Sequence, residues 1–219
     1  VTEDYKSFSG KFPFQLTDDQ ERAINDVILD LETGKLMDRL ICGDVGFGKT
    51  EVALRTSFIL ANSGYQVALV APTTILVKQH YNSFSERFKT TSLNISSLSR
   101  MTSLKDRNKI KNDLKSGEVN IVIGTHALLS NDVDFNNLGL LIIDEEQHFG
   151  VAQKEKIKEL QGNIHVLTLS ATPIPRTLQL SLSGLKQLSL ITTPPVNRLS
   201  IRTFVLEWDK AVSYTHLRA

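Results

Sequence analysis

Eight consecutive residues, Gly43-Asp44-Val45-Gly46-Phe47-Gly48-Lys49-Thr50, have the types and spacing to hold a chain of phosphates. They fit G-x-x-x-x-G-K-[ST], where loop amides cradle the phosphates, the lysine reaches the β- and γ-phosphates and the last hydroxyl ligates Mg2+. The flanks suit that chemistry. Arg39-Leu40-Ile41-Cys42 reads as a short buried strand, and residues 49–61 carry Val52, Ala53, Leu54, Phe58, Ile59 and Leu60, a largely apolar helix. Strand, glycine loop and helix together make an anion site from backbone N–H groups and a helix N-terminus. About a hundred residues on, four apolar residues lead into Asp144-Glu145-Glu146-Gln147, the Walker B arrangement. Asp144 is expected to hold Mg2+ opposite Thr50, and Glu145 to orient or deprotonate the attacking water. Ser170-Ala171-Thr172 ends the next apolar run. Its hydroxyls are placed to hydrogen-bond Gln147 and relay the state of the γ-phosphate.

Two further loops follow apolar runs, Pro72-Thr73-Thr74 and Gly124-Thr125-His126. Short hydroxyls beside helix N-termini suit phosphates of a nucleic-acid strand. The formal net charge is only +1, so such contacts must be local rather than a strongly basic surface. His126 and His80 also admit a core reading. For His80, on an apolar helix face with Val77, Tyr81, Phe84 and Phe88, the core reading is preferred.

These loops need a frame. Thr17 reads as a helix N-cap with Asp18 and Asp19 in the first turn, followed by Ile24, Val27, Ile28 and Leu31 on one face. Strands are expected at residues 66–71, 93–95 (weakly), 120–124, 139–144 and 165–170. Helices are expected from residue 74, over 104–115 and over 151–160. Alternating strands and helices imply right-handed crossovers and an α/β fold, a mostly parallel sheet with helices on both faces. Ligands in such sheets sit at the carboxyl ends of the strands, where every motif above falls. The 219 residues, 41% hydrophobic, suffice for one large domain. We expect a lead-in segment over 1–16, the nucleotide-binding domain over 17–195, and an exit strand with an unpatterned tail over 196–219. The single cysteine, Cys42, gives no disulfide framework, which suits a reducing cytoplasm, and no run approaches a membrane span. The chain opens on Val1, consistent with a piece of something longer.

Taken in order, these motifs resemble motifs I, Ia, Ib, II and III of superfamily 2 helicases, with the RecA-like P-loop NTPase fold that this implies. The resemblance covers roughly residues 10–208. Residues 12–20 look like the adenine-recognising Q-motif, which implies nucleotide contacts for Phe14 and for Gln20, the base reader. Gly-Asp-Val-Gly before the P-loop lysine, Phe149-Gly150-Val151, and the run from Ala171 through Pro173, Arg176 and Thr177 resemble both the RecG fork remodellers and the bacterial transcription-repair coupling factors. Met37-Asp38-Arg39-Leu40, Phe47, Thr50-Glu51-Val52-Ala53, Thr74 and Leu182-Ser183-Gly184 favour the coupling factors. By the same resemblance Phe47 and Glu51 join the ATP site, and Ser170, Thr172 and Arg176 join the DNA-coupling set with the two threonine loops.

The resemblance implies ATP and Mg2+ as cofactors and double-stranded DNA as the track. It implies RNA polymerase and UvrA as partners of the whole protein, through modules outside this chain. It also implies a second RecA-like lobe in cis, which carries motifs IV–VI and an arginine finger. Two departures stand out. Gln147-His148 replaces the usual His-Arg of motif II, and residues 213–219 do not continue the family pattern. Beside the coupling-factor reading stand a RecG-like fork remodeller and, from another class, a nucleotide-gated DNA-binding module without productive hydrolysis. A P-loop kinase is disfavoured by the acidic motif II.

Overall fold

The computed structural model describes residues 2–171 and 186–195. Seven strands form one sheet in the order β3-β4-β2-β5-β6-β1-β7, and every pairing is parallel. The strands are β1 (Asp38–Gly43), β2 (Gln66–Val70), β3 (Ile95–Leu98), β4 (Ile121–Gly124), β5 (Leu138–Asp144), β6 (His165–Ser170) and β7 (Gln187–Ile191). The central ones are buried along nearly their whole length, which is why they read as unbroken apolar runs rather than as alternation. The helices are α1 (Glu3–Gly10), α2 (Asp18–Glu32), α3 (Lys49–Asn62), α4 (Thr74–Phe88), α5 (Leu104–Ser116) and α6 (Val151–Gln161).

Each face of the sheet has its own core. Ile41, Leu69, Ile123, Ile142 and Leu167 meet α1 to α4 on one side. Val70, Val122, Leu141, Ile143 and Val166 meet α5, α6 and a short 3-10 turn, His126–Leu129, on the other. Helix α3 is buried almost all round, from Glu51 to Ala61, so it shows no amphipathic stripe. Helix α5 buries only Leu114 and is fixed by its ends, a Ser103 cap and a left-handed Gly117.

Within the lead-in, α1 is capped by Thr2 and buries Tyr5 and Phe8, and Phe8 stacks on Phe58 with ring centroids 4.2 Å apart. Two expectations about strands are corrected. The weak strand lies at Ile95–Leu98 rather than 93–95, and β7 was not expected at all. The exit strand and tail expected over 196–219 lie outside the described residues.

Candidate nucleotide and nucleic-acid site

Strand β1 delivers Gly43 to the carboxyl edge of the sheet, between β6 and β7. The Gly43 Cα lies so close to β7 that a Cβ there would sit 2.8 Å from the Ile191 carbonyl oxygen. The loop then turns into α3 through Gly48, whose φ of +84° is left-handed. Gly48 offers no side-chain cap, so the positive end of α3 faces the loop directly. Lys49 folds its ammonium onto that loop, donating to the carbonyls of Gly43 at 2.6 Å and Asp44 at 3.1 Å. Burial lowers the pKa of Lys49, and the negative charges of Glu145 and Asp144 oppose that shift. The P-loop lysine and the carboxylates of Asp144 and Glu145 therefore share one electrostatic environment.

Motif II reaches the same edge on β5, two strand spacings (about 10 Å) from β1 with β6 between them. Asp144 is its last strand residue, in register with Leu169 of β6. Glu145 follows at φ 54°, the one non-glycine with positive φ among the described residues. The turn is pinned to β6 twice: Glu145 N–H donates to Leu169 O at 2.9 Å, and Ala171 N–H donates to Glu145 Oε1 at 2.9 Å. The Gln147 amide donates to the other carboxylate oxygen of Glu145. Motifs II and III thus meet through a backbone amide and Glu145, where the sequence had suggested hydroxyls and Gln147. Ser170 is buried at the end of β6 opposite Cys42, while Thr172 and Arg176 lie outside the described residues.

The donor set suits Mg2+. Thr50 and Asp144 offer a hydroxyl and a carboxylate, and among the described residues no group of three or more His, Cys, Asp or Glu could cage an ion alone. An octahedral Mg2+ is ordinarily completed by water and phosphate oxygens. Cys42 is buried beside the loop, and burial pushes its thiol up, out of the thiolate range.

The two threonine loops stand side by side on the same edge, after β2 and β4, which pair with each other. Thr73 caps α4, its hydroxyl accepting from Leu76 N–H at 3.2 Å, with Pro72 and Thr74 half-buried around it. Gly124 closes β4. Thr125 is buried and its hydroxyl has no hydrogen-bond partner, a costly arrangement unless something outside the chain supplies one. His126 is half-buried beside it. Since β2 also pairs with β5, the sheet edge reads in order as threonine loops, motif II, motif III, P-loop.

The profile of DEAD/DEAH box helicases matches residues 17–181. The chain belongs to that family. It is 58% identical over 214 residues to the transcription-repair-coupling factor of Rickettsia bellii, covering 96% of this chain and 19% of that protein. It is 50% identical over 210 residues to the transcription-repair-coupling factor of Escherichia coli, covering 96% of this chain and 18% of that one. The chain thus spans about a fifth of the length of the curated relatives it matches. Among solved structures, RecG bound to a three-way DNA junction matches with a TM-score of 0.81 at 36% identity, covering 97% of this chain and 28% of that one. A structure of the helicase MrfA shares the fold, with a TM-score of 0.64 at 17% identity, over 90% of this chain and 33% of that one.

Within this helicase domain, the Q-motif residues divide. Thr17 and Gln20 form a reciprocal capping box on α2, with the Gln20 carbonyl oxygen accepting from Thr17 N–H at 3.0 Å. The Gln20 amide nitrogen also donates to the Phe47 carbonyl at 2.8 Å, so it binds the P-loop itself. One N–H and one lone pair of that amide remain, the pattern that pairs with an adenine edge. Phe14 is 62% exposed and packs edge-on against Phe12. The Glu51 carboxylate is buried and already engaged within the chain: Arg55 donates to it at 2.8 Å and Arg87 of α4 at 3.1 Å. Burial raises the Glu51 pKa, and the two arginines oppose that. Arg87 in turn lies over the rings of Phe8 and Phe12. Glu51 ties α3 to α4 and α1. No described helix is long and apolar enough to cross a membrane.

Two residues at the site escaped sequence reasoning. Asp19 gathers Thr192 and Thr193, just past β7, against the N-terminus of α2. His80, expected in the core, is buried but hydrogen-bonds Asp144 Oδ2 at 2.8 Å. Helical spacing placed it correctly on an inward face. It could not reveal that the end of β5 lies beneath that face.

Proposed function

We propose that this chain is the ATP-binding lobe of an ATP-dependent double-stranded DNA translocase that displaces stalled RNA polymerase in transcription-coupled DNA repair. The observation that carries the reading is the order of groups along one sheet edge: threonine loops, Asp144-Glu145, Ala171, Lys49. A motor needs track contacts and a hydrolytic site on one rigid body, and this edge supplies both. Lys49, Thr50 and the loop amides bind the triphosphate, and Gln20 with Phe14 receives the base. Glu145 orients the attacking water, and Thr73 and Thr125 grip DNA phosphates, with Ser170, Thr172 and Arg176 as coupling residues. Bound Mg2+, held by Thr50 and Asp144, supplies charge neutralisation at the β- and γ-phosphates. The identity of 50% and above to coupling factors, against 36% to RecG, favours repair coupling over fork remodelling.

In the whole protein a second RecA-like lobe in cis supplies an arginine finger, and other modules reach RNA polymerase and UvrA. A finger is worth about 10³–10⁵ in rate in other NTPases, so this lobe alone should bind nucleotide and hydrolyse it very slowly. The test is ATP turnover by this chain, with and without duplex DNA, beside binding of a fluorescent nucleotide. Binding lost in Lys49→Ala with negligible turnover supports a lone lobe. Brisk DNA-stimulated hydrolysis by the chain alone overturns the two-lobe argument. A full-length protein that turns over ATP and leaves a stalled polymerase in place overturns the repair reading.

A further inference from the structure

Histidine is a poor choice for an inward helix face unless its ring nitrogens are satisfied, because burying an unpaired polar group costs free energy. His80 is 7% exposed, on a face of α4 with Val77, Phe84 and Phe88, and a leucine would pack there without that cost. The imidazole meets Asp144 Oδ2 at 2.8 Å, and Asp144 is itself only 8% exposed. A carboxylate can only accept, so Nε2 carries the proton and donates it. One carboxylate oxygen is thereby fixed and the other left for an ion. Ordered metal sites commonly hold their ligands this way, through an outer partner that sets the carboxylate's orientation.

We propose that His80 is the positioning residue of the metal-binding aspartate: its Nε2–H orients Asp144 for the Mg2+ that accompanies bound nucleotide. This rests on the nucleotide-binding reading given above. The same helix opens on Thr73, seven residues earlier and about 10 Å along the axis. A shift of α4 on its track therefore moves the group that aims Asp144, which gives nucleic-acid contact a route to the metal site through one rigid element.

The experiment compares fluorescent ADP binding by the wild-type chain, His80→Leu and His80→Gln across a Mg2+ titration, beside binding in EDTA. Gln places an amide N–H near the position of Nε2–H, whereas Leu keeps bulk and loses the donor. Expected for His80→Leu is a Mg2+ requirement raised about 10- to 100-fold, with EDTA binding unchanged, and recovery of most of that loss in His80→Gln. A merely structural role would lower the melting temperature and weaken both kinds of binding together. Imidazole 15N spectra of the wild type give a second reading that needs no variant. The Nε2–H tautomer supports the inference, and the Nδ1–H tautomer overturns it. An unchanged Mg2+ requirement in His80→Leu, with wild-type binding intact, sinks the inference alone. Absence of nucleotide binding by the wild type sinks the site reading and this inference with it.

Discussion

The carboxylate of Asp19 holds Thr192 twice, accepting from its hydroxyl at 2.8 Å and from its backbone N–H at 2.8 Å. Thr193 adds two more bonds to the same oxygen, and Arg22 pairs with the other. The hydrogen bonds from the Thr192 side chain and then its backbone hold the Asp19 carboxyl far below its ordinary value of 3.8. A depressed folded-state pKa contributes stability that is complete above the unfolded value and is lost as pH falls through it toward the folded one. Asp19→Asn should therefore cost about 2 kcal/mol at pH 7, and its deficit should shrink as pH drops below about 4. Urea titrations of both proteins at several pH values check this. A deficit that stays constant down to pH 2 would refute it.

Gly48 and Gln20 make a pair that mutation can separate. Gly48→Ala forces a side chain into a left-handed position, costing about 1–3 kcal/mol, and drives its Cβ into the Gln20 amide. Gln20→Ala alone loses part of the capping box and its hold on Phe47, about 1 kcal/mol. In the Gln20→Ala background, Gly48→Ala should cost less than in the wild type, since the collision is gone and only the backbone strain remains. Equal costs in the two backgrounds, by thermal or urea unfolding, would mean the collision is relieved for nothing.

Glu145→Gln keeps an oxygen for the Ala171 N–H while removing the carboxylate proposed to orient the attacking water. In the full-length protein it should leave nucleotide binding within a few-fold of wild type and lower turnover by about 10²–10⁴. Unchanged steady-state turnover would move the assignment toward a nucleotide-gated binding module.

Glu51 is the only described carboxylate between Arg55 and Arg87, and it is 4% exposed. Removing it leaves two arginines in the interior without a counter-charge. Glu51→Ala should destabilise the chain by about 3–5 kcal/mol, read by chemical denaturation. Nucleotide affinity measured well below the melting temperature should stay near wild type. A selective loss of affinity with stability intact would restore Glu51 to the ATP site.

The parallel sheet, the P-loop and motif II were legible because each is written locally, as an apolar run followed by a few residues of fixed chemistry. What stayed hidden is made by residues far apart in the chain. Asp18 and Asp19 look alike as first-turn acids, yet Asp19 alone turns inward to Thr192. His80 matches a core pattern until β5 is laid beneath it. Glu51 directly follows Thr50, and the helical advance of about 100° per residue turns it inward to Arg55 and Arg87. Strand β7 carries Gln187 and Ser189 between its apolar residues, a weak signal for a strand whose one partner, β1, lies far away in sequence.

That last pairing has a bearing on synthesis. Strand β1 precedes the other six strands of this sheet in the chain, yet both of its neighbours, β6 and β7, come from residues 165–170 and 187–191. At about 5–20 residues per second, the ribosome needs roughly 7–30 s to travel from Gly43 to Ile191. Until β6 is made the strand that presents the P-loop has neither lateral partner, and until β7 is made it has only one. Contacts so distant in sequence also slow folding, because loop closure must precede the pairing that rewards it. A ribosome-bound chain stopped before β7 should therefore expose an unfinished nucleotide loop, and nucleotide competence should arrive late, as a step rather than a ramp.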